Sequence, residues 1–310
     1  MEIIKLLKKG FIQISELIRD ENSLSLSQLT DSNNTSGDDV KKIDIISNNI
    51  LKNILKECSL IRKIGSEEED ELIETAFKDA PYLVCYDPLD GSSNVDVNIT
   101  TGTIFCIYKY DEYGNIKNGH NIIASGYCLY GGATQCMIAY EGKLSLYQYS
   151  TINQTFNLLN DNLRIKTKGS IYSLNECNKH IWIDERYNNL INKFIEEKYS
   201  ARWIGSLVAD AHRTIIKGGF FSYPGNKKDK NGKIRLIYEA YPFAYIFHVG
   251  GGFSSNGEKN ILDINFPEKI HQKTPITLCG KYENEIYKNS TGSGRRENLS
   301  FPTNILEIGF

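Results

Sequence analysis

The chain has 310 residues, of which 40% are hydrophobic and 24% charged, as is usual for a globular protein. Its formal net charge of −2 argues against nucleic-acid binding or membrane attachment as the main activity, and no apolar run approaches the roughly 18 residues of a membrane span. The 7 cysteines are odd in number and form no CxxC pair, which disfavours a disulfide scaffold or a zinc site and favours a cytoplasmic location.

The first segment is predicted to be an amphipathic helix, because its apolar residues recur at helical spacing. These residues are Ile3, Ile4, Leu7, Phe11, Ile14, Leu17 and Ile18. Residues 22–39 are rich in Ser, Asn and Asp and show no core period, so we interpret them as a mobile loop. A second helix is expected from about Val40 to Cys58.

Strand-like and helical patterns alternate along the rest of the chain. Strands are expected at 82–86, at 102–110, at 121–130, in CMIAYEGKLSLYQY with a hairpin turn at Glu141-Gly142, in GGFFSY and in IRLIYE. Helices are expected near 184–198, near 206–217 and from about Pro242. This alternation predicts α/β or α+β layers. A break near 160–165 separates a predicted N-terminal subdomain (1–163) from a C-terminal one (164–289), and 290–310 is interpreted as a flexible tail.

The stretch YLVCYDPLDGSSN, Tyr82 to Asn94, begins like a buried strand and ends in two carboxylates. Asp87 and Asp90 are separated by a rigid Pro-Leu pair and can point to the same side of the strand end. The backbone amides of Gly91, Ser92 and Ser93, which follow, can hold an anionic oxygen. Because Mg²⁺ prefers oxygen ligands, this pattern predicts the floor of a metal and phosphate site.

Other charged segments could complete such a site. They are Glu67 and Glu68 in GSEEED, Glu239 at the end of IRLIYE, Asp38 and Asp44 around VKK, and the basic residues Arg202, Lys227, Lys228, Lys233 and Arg235. Each has a simpler interpretation alone: a capped turn, a solvated acidic loop, a helix cap, a strand-end charge or a solvated basic turn. Their joint occurrence favours a metal and phosphate site over these separate interpretations.

With these motifs the chain resembles the class I fructose-1,6-bisphosphatases, which share a superfamily with the inositol monophosphatases. DPLDGSSN with the upstream SEE is widespread in that superfamily, whereas GDDVKKIDIISN, IYSLNE, IGSLVADAHRT and YPGNKK are more specific to sugar bisphosphatases. The resemblance covers about Ile4 to Gly280. It implies a layered αβαβα sandwich and a homodimer or homotetramer that removes the 1-phosphate of fructose 1,6-bisphosphate.

The resemblance also implies roles for individual residues. Two or three Mg²⁺ ions, or Mn²⁺, are held by Glu67, Asp87, Asp90, Glu239, the Leu89 carbonyl and, at a third position, Asp38. Asp44 and Glu68 act on the attacking water. The substrate is held by the backbone of Gly91 and Ser92, by Arg235 and Lys233, and at its distal phosphate by Asn175, Tyr223 and Arg202 from a neighbouring subunit.

Departures from the family pattern leave two questions open. Asn178 and Trp203 stand where family members commonly have tyrosines, so sedoheptulose 1,7-bisphosphate is the alternative substrate. An inositol-phosphate phosphatase is a weaker alternative, because NKKDKNGKIR suits a second phosphate. A non-catalytic sugar-phosphate-binding homologue is also weaker, because no carboxylate of the motif is replaced by an amide. Pro81 and Lys109 stand where the family's AMP site usually has Lys and Arg, and the chain begins at the family's second helix, so we expect AMP not to inhibit.

Overall fold

The computed structural model describes residues 1–20, 29–33 and 39–290, with only the backbone described for 29–33 and 39–40. Asp38 and the tail from residue 291 onward lie outside the described residues, as does most of the predicted mobile loop. Leu29–Asn33, within that loop, pairs antiparallel with Asp39–Lys41 at its end, so these residues form strands where a loop was predicted. The helix predicted from about Val40 begins at Lys42.

The helices of the described residues are α1 (Glu2–Arg19), α2 (Lys42–Lys56), α3 (Arg186–Glu196), α4 (Leu207–Lys217), α5 (Tyr241–Gly250) and α6 (Lys281–Asn289). The strands are β1 (Leu29–Asn33), β2 (Asp39–Lys41), β3 (Ile61–Ser66), β4 (Ile73–Glu74), β5 (Tyr82–Asp90), β6 (Thr101–Lys109), β7 (Ile122–Tyr130), β8 (Thr134–Tyr140), β9 (Lys143–Ser150), β10 (Thr155–Asn160), β11 (Ile171–Ser173), β12 (Ser200–Ala201), β13 (Phe220–Tyr223), β14 (Ile234–Arg235), β15 (Phe253–Ser255), β16 (Lys273–Thr274) and β17 (Ile276–Cys279).

These elements stack in five layers, which confirms the predicted αβαβα sandwich. Helices α1 and α2 cover one face of an eight-stranded sheet with the order β10-β9-β8-β7-β6-β5-β3-β4. Helices α4 and α5 lie between that sheet and a five-stranded sheet with the order β12-β11-β13-β17-β15. Helices α3 and α6 cover the outer face of the smaller sheet. No helix within the described residues is long and apolar enough to cross a membrane.

Residues 83–86 of β5 form an unbroken apolar run because both faces of the strand are buried there. Leu83 and Cys85 face the α4 and α5 layer, whereas Val84 and Tyr86 face α1 and α2. Successive side chains of a strand point to opposite faces, so one run of residues contributes to two cores. The carboxylates at the end of β5 are therefore held by a strand that lies in the middle of the molecule.

The predicted hairpin turn is confirmed, whereas the strand predicted over IRLIYE was wrong beyond its second residue. Glu141 and Gly142 join β8 to β9 with φ values of 49° and 70°, as a tight two-residue turn requires. Only Ile234–Arg235 is a strand, and Leu236–Ala240 is a π-helical turn that runs into α5. All five residues of that turn are buried. The sequence therefore lacks the alternation of polar and apolar faces by which a helix is recognised.

Candidate active site

The carboxylates Asp87 and Asp90 are brought to one side of the sheet by a bulge in β5. Asp87 lies opposite Ile104 and Asp90 lies opposite Gly102, so three steps along β5 match two steps along β6. Residues three apart in a regular strand would point to opposite faces, and the extra residue corrects this. The Asp87 carboxylate also accepts the Leu89 N–H at 2.9 Å, which tightens the bulge.

A third carboxylate, Glu239, reaches the same place from the π-helical turn before α5. Oxygen atoms of Asp87, Asp90 and Glu239 all lie within 4.8 Å of one another. Burial and the neighbouring charge of Glu67 raise the pKa of Asp87 well above its ordinary value, and burial raises the pKa of Glu239 to about 7. A buried group of mutually repelling oxygen donors fits a hard divalent cation such as Mg²⁺.

Glu67 lies beside these three carboxylates, directly after β3. Its backbone N–H donates to the Tyr86 carbonyl at 3.2 Å, which extends the parallel pairing of β3 with β5. Burial, followed by the negative charges of Glu239 and Glu68, raises the pKa of Glu67 well above its ordinary value. One nitrogen of the Arg235 guanidinium lies 3.3 Å from a Glu67 carboxylate oxygen, so Arg235 is held at the edge of the cluster.

Asp44 and Glu68 form a second pair of carboxylates. Asp44 lies in the first turn of α2, where its side chain accepts the Lys41 N–H at 3.0 Å. Burial raises the pKa of Asp44 to about 6, although hydrogen bonds from the Lys41 backbone and the Ser92 side chain lower it. Burial and repulsion from Asp44 raise the pKa of Glu68 to about 7. Both carboxyls therefore titrate near neutral pH, as a general base requires.

A polar network behind this pair fixes α2 against the end of β3. Asn48 accepts the Ser66 hydroxyl at 2.8 Å and the Tyr86 hydroxyl at 3.0 Å, both at its side-chain oxygen. Its side-chain NH₂ donates to Glu69 at 2.7 Å, and Lys52 lies 2.5 Å from the same carboxylate oxygen. Because Glu69 is tied to α2 in this way, the adjoining acidic turn keeps its position relative to Asp44.

The segment after Asp90 turns sharply and faces the start of α4. Gly91 has a φ of 76°, in the left-handed region, and Ser92–Asn94 form one 3₁₀ turn. The Asp90 carboxylate accepts the Ser206 hydroxyl at 2.7 Å and the Val208 N–H at 2.8 Å. It thereby caps α4, and burial raises its pKa to about 6 in spite of these two donors.

A cavity of about 170 Å³ extends from these carboxylates between α4 and β13. It is lined by Asp90, Trp203, Gly205, Ser206, Leu207, Asp210, Phe221, Tyr223, Lys233, Ile234, Arg235 and Glu239. The rings of Trp203 and Tyr223 lie 6.2 Å apart at its far end. Tyr223 also lines an adjoining recess that contains Asn175, Asn178, Trp182, Ser222, Pro224 and Asn226.

The structure brings together most of the predicted site residues that it describes, but not Arg202. That side chain lines neither the cavity nor the recess among the described residues, and its guanidinium donates to the Ala201 carbonyl at 2.8 Å. Sequence reasoning missed Ser206 and Asp210, which line the cavity. Their only local signal was their place at the start of a predicted helix, where such residues usually act as caps.

Comparisons with known proteins identify the class of protein that has this fold and site. Residues 1–161 match the family model described as "Fructose-1-6-bisphosphatase, N-terminal domain", and residues 165–289 match "Fructose-1-6-bisphosphatase, C-terminal domain". A crystal structure titled as Leishmania major fructose-1,6-bisphosphatase in holo form is similar with a TM-score of 0.88 and 30% identity, covering 93% of each chain.

Curated relatives agree with the structural match. The chain is 41% identical over 265 residues to a class 1 fructose-1,6-bisphosphatase of Sulfurihydrogenibium sp., covering 84% of this chain and 82% of the relative. It is 38% identical over 296 residues to fructose-1,6-bisphosphatase 1 of Bos taurus, covering 89% and 86%. The chain therefore belongs to the fructose-1,6-bisphosphatase family, whose members are phosphoric monoester hydrolases.

Proposed function

We propose that this enzyme hydrolyses the 1-phosphate of fructose 1,6-bisphosphate to give fructose 6-phosphate and inorganic phosphate. The observation that carries the proposal is the cavity of about 170 Å³, which joins the buried carboxylates to Lys233 and an aromatic end wall. One end suits a divalent cation with a reacting phosphate, and the other suits a sugar. The printed names of the relatives support the same substrate.

Asp87, Asp90, Glu239 and Glu67, with the Leu89 carbonyl, would hold two or three Mg²⁺ or Mn²⁺ ions. When bound, such ions polarise the phosphoryl oxygens and offset the charge that develops on them. The raised pKa values support this assignment, because the clustered carboxyls retain protons at neutral pH unless a cation replaces them. Asp38, the predicted third-position ligand, lies outside the described residues.

Asp44 and Glu68 would act together on the attacking water. As the water oxygen forms its bond to phosphorus and the bond to the C1 oxygen of the sugar breaks, Asp44 takes a proton from the water. Burial and repulsion from Asp44 raise the pKa of Glu68, so Glu68 can hold a proton beside the base. A proton must also reach the departing sugar oxygen, and solvent would supply it, because that oxygen lies opposite the attacking water in an in-line displacement.

The remaining predicted residues would bind the substrate. The amides of Gly91, Ser92 and Ser93 lie in the turn that follows Asp90 and would hold the released phosphate together with Arg235. Lys233 lines the cavity and would bind the sugar. Tyr223 and Asn175, which line the adjoining recess, would bind the distal phosphate.

Arg202 would complete the distal phosphate site of a neighbouring subunit in a homodimer or homotetramer. Its side chain is exposed and lines neither the cavity nor the adjoining recess of its own chain, which supports this role. Under the proposed division into 1–163 and 164–289, Asp87 and Asp90 come from the first subdomain and Glu239 from the second. The substrate would therefore bind between the two subdomains.

Sedoheptulose 1,7-bisphosphate is the second candidate substrate. Trp203 forms part of the end wall of the cavity, and an indole offers only one N–H donor to an anionic oxygen. Asn178 in the adjoining recess is shorter than the tyrosine that the family commonly has. Both differences would alter how a longer sugar fits, without changing the carboxylates.

We also propose that AMP does not inhibit the enzyme. Pro81 has neither a backbone N–H nor a side-chain charge, and its carbonyl accepts the Tyr110 N–H at 3.1 Å. Lys109 ends β6 opposite Tyr82 and retains a charge, but a lysine cannot form the paired hydrogen bonds that an arginine offers to phosphate. The family's AMP phosphate would therefore lack two of its partners here.

Release of inorganic phosphate from a substrate panel tests the proposed function. The panel contains fructose 1,6-bisphosphate, sedoheptulose 1,7-bisphosphate, fructose 6-phosphate and inositol 1-phosphate, each with Mg²⁺ and with excess chelator. We expect fastest release from fructose 1,6-bisphosphate and none with the chelator, with Asp87→Asn as the inactive control. Undiminished release in chelator would refute the metal assignment. Faster release from sedoheptulose 1,7-bisphosphate or from inositol 1-phosphate would refute the substrate assignment.

A further inference from the structure

Asp210 is a buried carboxylate that binds the end of β11 and the loop before α4, beside the cavity. It lies in α4 and is 1% exposed. It accepts the Ser173 hydroxyl at 2.9 Å, the Ile204 N–H at 3.1 Å and the Gly205 N–H at 3.0 Å, and the Arg213 guanidinium lies 3.7 Å away. Hydrogen bonds to an ionised acceptor are about twice as strong as neutral ones, so this carboxylate strongly restrains residues 203–206.

The restrained loop, residues 203–206, contributes to both ends of the proposed substrate site. At one end, Trp203 is 39% exposed and its ring lies 6.2 Å from that of Tyr223, forming the end wall of the cavity. At the other end, the Ser206 hydroxyl donates to Asp90 at 2.7 Å. Between them, Gly205 turns the chain with a φ of 87°.

We infer that Asp210 is a positioning residue, which sets this loop so that Ser206 orients the Asp90 carboxylate while Trp203 closes the sugar end of the cavity. The inference rests on the proposed function, because it assigns Asp90 to the cation site and Trp203 to the sugar. The single Asp210 carboxylate thereby sets the positions of the Asp90 carboxylate and the Trp203 ring relative to each other. Asp210 also holds the end of β11 through its hydrogen bond with Ser173, and Asn175 of the adjoining recess lies two residues further along the chain.

The amide analogue of Asp210 would weaken this restraint because it removes the charge of the acceptor. A carboxylate presents two acceptor oxygens, and Asp210 uses one for Ser173 and Ile204 and the other for Ile204 and Gly205. An asparagine can keep the Ile204 and Gly205 N–H groups on its single oxygen only if its NH₂ group faces the Ser173 hydroxyl, which must then accept instead of donate. Both backbone hydrogen bonds would lose the strength that an ionised acceptor gives them, and the attraction to the Arg213 guanidinium would be lost.

The test compares Asp210→Asn with a matched control, Glu283→Gln. Glu283 is also fully buried, and it accepts the Gly169 N–H at 2.7 Å and the Tyr199 hydroxyl at 2.6 Å, but it lines neither the cavity nor the recess among the described residues. At a temperature where both variants are folded, we expect Asp210→Asn to raise the KM for bisphosphate and the Mg²⁺ concentration for half-maximal rate several-fold. Glu283→Gln is expected to lower the Tm while both kinetic quantities stay at the original values.

Fluorine NMR of protein labelled with 5-fluorotryptophan supplies a readout that does not depend on activity. The chain has 2 tryptophans, and Trp182→Phe assigns their resonances. In Asp210→Asn we expect the Trp203 resonance to shift and broaden while that of Trp182 stays in place. If the original enzyme releases no phosphate, the proposed function fails, yet this measurement still decides whether Asp210 positions the loop.

An Asp210→Asn variant with unchanged KM, unchanged Mg²⁺ dependence and an unchanged Trp203 resonance would overturn the inference. If Asp210→Asn does not fold, a second variant provides the test. Ser206→Ala then removes only the hydroxyl that reaches Asp90, and it should still raise the Mg²⁺ concentration for half-maximal rate several-fold. Unchanged Mg²⁺ dependence in that variant would show that the loop does not act on Asp90.

Discussion

Replacing Gly91 by alanine would perturb the turn between the carboxylates and α4 in a way that can be worked out from the coordinates. Gly91 has a φ of 76°, and a Cβ added there would lie 2.8 Å from the Ser206 Oγ and 2.9 Å from the Ser206 Cβ. The left-handed conformation costs a residue with a side chain about 1–2 kcal/mol. Relief of the overpacking requires Ser206 to move and costs a further ~1–3 kcal/mol.

Gly142 provides a matched control for the backbone cost. Its φ is 70°, and an added Cβ would meet no heavy atom of the described residues within 4 Å. Gly142→Ala should therefore reduce the free energy of unfolding by about 1–2 kcal/mol, and Gly91→Ala by about 2–5 kcal/mol. The difference between the two variants isolates the contact with Ser206.

Urea unfolding and steady-state phosphate release measure the two consequences separately. Because a displaced Ser206 no longer donates well to Asp90, we expect Gly91→Ala to need several-fold more Mg²⁺ for half-maximal rate, whereas Gly142→Ala keeps the original dependence. Equal losses of stability in the two variants, with unchanged Mg²⁺ dependence in both, would refute the reasoning.

Three further predictions concern the base, the pH dependence and regulation. Asp44→Asn should lower kcat by about 10²–10⁴ with little change in KM, measured by phosphate release, and a variant with the original kcat would reduce Asp44 to a helix cap. In the metal-free protein, the pKa of Asp44 is raised to about 6 and that of Glu68 to about 7, so the native state holds more protons than the unfolded chain. This stabilisation is complete below the unfolded pKa of about 4 and is lost as pH rises through about 6–7. The metal-free Tm should therefore fall between pH 5.5 and 7.5, and Mg²⁺ should raise the Tm more at pH 7.5; a Mg²⁺ shift that is equal at both values would contradict this. A titration of initial rate with AMP at saturating Mg²⁺ should show no cooperative inhibition at micromolar concentrations, and such inhibition would disprove the proposed loss of the AMP site.

Local chemistry explains why much of the site could be predicted from the sequence. The Asp87-Pro-Leu-Asp90 spacing and the following Gly91 predicted two carboxylates on one side of a strand end within five residues, although the bulge that places them there appears only in the pairing with β6. The helical spacing of the first apolar residues likewise determined α1, and the Glu141-Gly142 pair determined a hairpin turn. These features follow from backbone geometry and from which side chains avoid water.

Contacts between distant segments decided the remainder. Glu239 was recognised as a ligand candidate, yet its place in a π-helical turn depended on burial from every side, which leaves no periodic pattern in the sequence. Ser206 was missed because its partner is remote: Ser206 and Asp90 are 116 positions apart along the chain. Asp210 was missed because its place beside the cavity depends on the packing of α4 against β13.

The sequence by itself therefore determined the layered α/β class, the carboxylates and their likeness to a phosphatase family. Only the tertiary structure decided that Asp90 caps α4, that Asp210 holds the loop 203–206, and that Arg202 lines neither the cavity nor the recess. The physical reason is that these hydrogen bonds form only when distant segments pack together. The same packing buries the carboxyls and brings like charges close, which shifts their pKa values.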